Sequence, residues 1–165
     1  CCEDLLFMLE YLLHCDYIVY GKSIHYIYIK YDRSLSIRVN PFESEYICLL
    51  QYMSLAEQIK HKYDLSSEEM EAVYRSLMIC FRRALKTDYQ PGNPVLRKER
   101  LMHLKKLVDT CQEVIRFYYR PVYKVDQFGK YLLLHRMFYL YDLLITTAFA
   151  LGIRSVFLGP KKEAL

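Results

Sequence analysis

The sequence predicts a mainly α single domain, bundle-like, of about five long helices with a small β-hairpin near the N-terminus. Three observations predict it. Apolar residues make up 53% of the 165-residue chain against 25% charged, enough to bury one core without disulfides or metal. Only five Gly and five Pro are present, so long helices with few breaks are expected. One stretch, IHYIYIKYDRSLSIRV from Ile24 to Val39, leaves the helical period and alternates instead.

Residues 3–20 are apolar on more than one side, yet Glu10, His14 and Asp16 interrupt them, so a buried helix with a frayed or extended end before Gly21 is expected and not a membrane span. The hairpin at about 24–39 follows. With a three-residue loop at Asp32, Arg33 and Ser34, one face carries Ile27, Ile29, Leu35, Ile37 and Val39. The other carries Tyr26, Tyr28 and Lys30 with Arg38, an aromatic and basic face for a partner.

Asn40 as N-cap, Pro41 at the first helical position and Glu43 at the capping-box position open the next helix, whose stripe runs Tyr46, Leu49, Met53, Ala56, Ile59, Tyr63. Ser66 with Glu69 forms a second capping box, before the stripe Met70, Tyr74, Leu77, Cys80, Phe81, Leu85. Lys86 to Val95 is rich in Pro, Gly and polar residues and breaks the chain. Asn93-Pro94 restarts a helix with Leu101, Leu104, Val108, Cys111, Ile115 and Tyr118 on its stripe, and Pro121 stops it. A single long helix from Asp126 or Gln127 to Leu151, capped by Gly152, forms the centre of the bundle. The segment GIRSVFLGP after it alternates weakly and is read as a third short strand.

Charge is uneven. Residues 1–70 hold six Lys/Arg and eleven Asp/Glu, residues 71–165 seventeen and eight, so opposite ends of the surface carry opposite sign. Cys48, Cys80 and Cys111 fall on apolar helical stripes and read as reduced core thiols, which points to cytoplasm or nucleus. Cys1-Cys2, with no initiator Met and no leader pattern, reads as the start of a segment from a longer protein.

The motifs do not point to catalysis. Five His stand on different elements without a second ligand or base at working spacing, so no enzyme activity, metal or cofactor is expected. Two other constellations merit weighing. LRKERLMHLKK places Arg97, Lys98, Arg100, Lys105 and Lys106 on a cationic helical ridge, an alternative nucleic-acid surface. His135 and Asp142, two turns apart on the most apolar helix, mark an alternative small-molecule or lipid pocket; the plainer reading is an ion pair from Asp142 to Arg136 or to another helix's Arg or Lys. The first expectation is a non-catalytic protein-protein interaction or scaffold module of a larger intracellular complex, using apolar and tyrosine-rich surface. Its partner is a protein, obligate on one reading, with a homo-oligomer as the variant.

Overall fold

A computed structural model describes residues 3–17, 39–90, 93–121 and 123–151. Within them the chain forms α1 (Glu3–Leu12), α2 (Phe42–Lys62), α3 (Glu71–Thr87), α4 (Arg97–Tyr118), α5 (Lys124–Leu134) and α6 (Phe138–Ala150). Consecutive helices pack as neighbours from α1 through α4; α5 and α6 then pack on α4 and on each other. The core lies where α2, α3 and α4 meet, filled by Leu49, Tyr52, Leu77, Phe81, Leu107 and Ile115, and it extends through Leu132, Leu133 and Ile145 under the last two helices. These positions recur at three and four residues, the spacing that puts side chains on one helical face. Full burial of each such side chain contributes about 1.5–3 kcal/mol.

The expected fold class needs correcting. Six helices, not about five, are present among the described residues, and no strand is. The hairpin residues 24–38 and the third-strand segment 152–160 lie outside the described residues. Val39, expected to close the second strand, is described and belongs to no strand; it leads into α2. The physical reason is that period-two alternation says only which face each side chain takes once a partner strand is present, and a two-stranded sheet is marginal by itself. The first helix ends at Leu12, and it is not a buried one: Leu9 is in the core while Phe7, Met8 and Tyr11 are exposed. The carbonyl of Leu12 and that of Leu13 just past it are taken up by α2's end, Tyr63 Oη on Leu12 O and Lys62 Nζ on Leu13 O, each at 2.6 Å.

The single long C-terminal helix is two. Between α5 and α6, Arg136 takes a left-handed backbone with φ 57°, the Met137 N–H reaches Leu132 O at 2.8 Å and the Arg136 N–H reaches Leu133 O at 3.0 Å. That pair of bonds is a Schellman closure, usually built on glycine. Asp64, with φ 49°, ends α2 in a related way, the Leu65 N–H meeting Lys60 O at 3.0 Å. Because a left-handed backbone crowds the Cβ of any residue but glycine, Arg136→Gly is expected to raise stability by about 0.5–1 kcal/mol. Loss of the half-exposed Arg136–Asp109 ion pair offsets this only slightly. Chemical denaturation measures the shift; a fall of similar size contradicts the strain.

Two expected caps are also corrected. α2 begins at Phe42 with Pro41 in the cap position, and Asn40 turns its amide to Glu45 Oε1 at 2.7 Å instead. α4 begins at Arg97 after an extended Leu96, while Asn93 donates to Thr87 O at 3.1 Å. The Ser66–Glu69 box is formed reciprocally, Ser66 N–H to Glu69 Oε2 at 2.8 Å and Glu69 N–H to Ser66 Oγ at 3.3 Å, on the turn that precedes α3. The hydrogen bonds from Ser66 hold the Glu69 carboxyl below its ordinary value. Cys48, Cys80 and Cys111 are buried on their helical stripes, and burial pushes the Cys111 thiol up to about 12, which leaves it unreactive.

Candidate functional site

The end of α3 and the start of α4 place a layer of polar side chains against α2 and α6. At its α6 side sits Asp142, the one acidic or basic residue of that helix, with a side chain only 3% exposed. Arg100 grips it with a two-pronged fork, Nε to Oδ1 at 2.7 Å and Nη2 to Oδ2 at 3.2 Å, while Nη1 is fixed on Val95 O at 2.8 Å. Arg97 Nε lies 3.2 Å from Oδ2 and the Tyr89 hydroxyl donates to Oδ1 at 3.1 Å. Burial pushes the Asp142 carboxyl up, but the bonds from Arg100 and Tyr89 and the two arginine charges outweigh it and hold the group below its ordinary value. Burial beside that carboxylate raises the Tyr89 phenol far above its usual range. Both arginines also lie over aromatic rings, Arg100 over Tyr89 at 5.4 Å and Arg97 over Tyr139 at 5.6 Å.

On the α2 side Glu45, buried on the stripe of Phe42, Tyr46 and Leu49, accepts Arg83 Nε at 3.0 Å and Nη2 at 2.9 Å as well as the Asn40 amide. Burial raises its pKa and the hydrogen bonds and charge of its partners lower it further, for a net fall. Between these ion pairs His103 Nδ1 lies 2.7 Å from Asp88 Oδ2, and the Phe42 ring stacks on the imidazole with centroids 3.8 Å apart. Asp88 Oδ1 is buried with no hydrogen-bond partner among the described residues, and desolvation raises the carboxyl. Thr87 Oγ1 donates to Asn40 O, which ties the end of α3 to the entry of α2.

The sequence-predicted site residues fare differently. Tyr26, Tyr28, Lys30 and Arg38 lie outside the described residues. The cationic ridge is largely committed to carboxylates: Arg97 and Arg100 turn to Asp142, and Lys106 bonds Glu43 at 3.0 Å while resting over the Tyr46 ring at 4.3 Å. Lys98 and Lys105 are exposed and make no ion pair among the described residues. His135 and Asp142 are not brought together. His135 is exposed at the end of α5, its ring 4.2 Å from that of Tyr131, whereas Asp142 points into the bundle. Arg136 pairs with Asp109 at 2.7 Å. Glu45, Arg83, Asp88 and His103 were not foreseen; the signal available was Glu45, a charge standing on an apolar stripe.

The layer ties helices together. No group of three or more His, Cys, Asp or Glu among the described residues is arranged to hold a metal ion. What the pairing does achieve is orientation. With Asp142 locked inward, α6 turns Tyr139, Leu140, Leu143, Thr146, Thr147 and Ala150 outward, Tyr139 at 68% and Leu143 at 57% exposed. Phe128 and Tyr131 of α5 are half exposed as well. No helix among the described residues is long and apolar enough to cross a membrane. Compared with known proteins, the chain matches no protein-family model, no curated protein and no solved structure at a significant level.

Proposed function

We propose that the chain is a non-catalytic protein-interaction module whose contact surface is the outward face of α6, and that its occupant is an apolar helix of a partner protein. One observation carries this reading: the outward face of a thirteen-residue helix holds no charged side chain, and its only acidic or basic residue, Asp142, is turned inward by two arginines. A solvated helix of a folded protein ordinarily has a polar outer stripe, and a helix apolar all round is ordinarily covered. A membrane-surface helix would instead carry Lys or Arg along the rim of its apolar face, and α6 has neither. Cysteines buried as small apolar side chains on helical stripes, as Cys48, Cys80 and Cys111 are, suit a reducing compartment, cytoplasm or nucleus. Nucleic-acid binding draws little support, since three of the five ridge cations already face carboxylates.

Tyr139→Glu combined with Leu143→Glu tests the reading. Both side chains are exposed, so each change is expected to move stability by no more than about 0.5 kcal/mol. The expected result is that the wild-type chain, purified from cells under gentle conditions, runs in a larger complex by light scattering, while the double variant runs as a folded monomer. Equal complexes from the two proteins contradict the assignment.

A further inference from the structure

A groove of about 330 Å³ opens on another face of the molecule, lined by Arg75, Met78, Ile79, Arg82 and Arg120. The first four recur at i, i+3, i+4 and i+7 along α3 and so share one face, a spacing that usually marks a buried apolar stripe. Here only Met78 is buried, at 4% exposure: Ile79 is 54% and Arg75 59% exposed, and Arg120 across from them is 64% exposed. Arg120, just beyond α4, completes the rim.

The charges are unbalanced. Glu71 Oε1 alone accepts both Arg75 Nη2, at 2.8 Å, and Arg120 Nη1, at 3.0 Å. Arg82 lies over the Tyr119 ring at 5.3 Å, and the acid that feels its charge, Asp126, feels Lys86 more strongly. Three guanidinium groups therefore surround a space that no carboxylate lines, above an apolar floor of Met78 and Ile79. Guanidinium forks match phosphate oxygens two at a time, and a phosphate monoester brings close to two negative charges where a carboxylate brings one.

We propose that this groove binds a single phosphate monoester, the dianion held among Arg75, Arg82 and Arg120 and its organic stem laid on Met78 and Ile79. The cations form one focus and not a track, which suits one phosphate better than the repeated phosphates of a nucleic acid. The site stands apart from the α6 face and does not depend on what covers that face. The same chemistry is available from a phosphorylated side chain of a protein or from a free phosphorylated small molecule.

The experiment is a calorimetric titration of the whole chain with phenyl phosphate, in parallel with a pool of phosphoserine peptides and the same pool unphosphorylated. Saturable binding at one site is expected, weakened at least about tenfold by Arg82→Gln and by Arg120→Gln and unchanged by Lys98→Gln. Affinity is also expected to drop from pH 7 to pH 5, as the monoester loses its second charge near a pKa of about 6. Tighter binding of the phosphopeptides assigns the group to a protein; tighter binding of phenyl phosphate assigns it to a small molecule. Ile79→Glu, which places a carboxylate in the groove and keeps every arginine, is expected to abolish binding with the helical circular dichroism unchanged. The proposal is overturned by absence of saturation up to about 10 mM in both arms, or by binding that survives the two arginine substitutions. It is equally overturned if single-stranded RNA binds more tightly than either probe, with the steep salt dependence of a polyanion.

Discussion

Asp142→Ala is expected to lose about 3–5 kcal/mol of stability, because it leaves Arg100 with its fork unanswered in a site where its side chain is only 17% exposed. The cost comes from the stranded charge more than from the lost attraction, so the partner change should recover much of it. Asp142→Leu with Arg100→Met, which removes both charges and keeps the volume, is expected to be considerably more stable than Asp142→Ala. Urea denaturation of the three proteins measures this; equal losses from the single and the double change contradict it. The pH dependence follows from the same group. Asp142 and Glu45 have folded pKa values below their ordinary 3.8 and 4.5, so their contribution is fully present above those values and is lost as pH falls through the lower, folded ones. Asp88, raised by burial, has the opposite sign: between 3.8 and its higher folded value, acidification favours the folded chain. Stability is therefore expected to hold or rise slightly on mild acidification and then to fall below about pH 4.

Phe42→Ala is expected to cost about 3–5 kcal/mol, the usual loss for a large aromatic side chain buried to this degree. Phe42 is 3% exposed and its ring lies parallel to His103 at 3.8 Å and 5.6 Å from Tyr46. It thus packs the first turn of α2 on α4 and covers the buried Asp88–His103 pair. Truncation would both open a cavity and admit water to a carboxylate that now has one oxygen without a partner. Phe42→Leu fills most of the space but cannot stack, and an intermediate loss is expected. Thermal unfolding separates the three; a loss under about 1 kcal/mol for Phe42→Ala would mean that the entry of α2 carries little of the packing.

The helical stripes were legible because burial on one face needs only local spacing. Leu77, Cys80, Phe81 and Leu85 in α3, and Leu104, Val108, Cys111 and Ile115 in α4, are buried where period 3.6 places them. What was not legible depended on partners distant in the chain. Arg97 and Arg100 read as an outward ridge because nothing within a turn or two could neutralise them, yet their carboxylate stands 45 and 42 residues away in α6. Asn40 and Asn93 read as caps from their place before a proline, but each found a better acceptor in the fold, Glu45 and Thr87. The break at Arg136 carried no Gly or Pro to announce it, because the closing hydrogen bonds to Leu132 and Leu133 repay the left-handed backbone of an arginine. The last helix read as the centre of the bundle because it is apolar nearly all round, yet α6 buries only Tyr141, Asp142, Ile145 and Ala148 and leaves Tyr139, Leu140 and Leu143 exposed; Asp142 fixes which way the helix is turned.

The most direct test of the interaction reading is photocrosslinking in cells with benzoylphenylalanine placed at position 143, in the centre of the outward face of α6, and at position 98 as control. A discrete protein adduct is expected from position 143 and none of matching size from position 98, with the adduct at 143 lost on Tyr139→Glu. No protein adduct from position 143, or the same adducts from both positions, would contradict it.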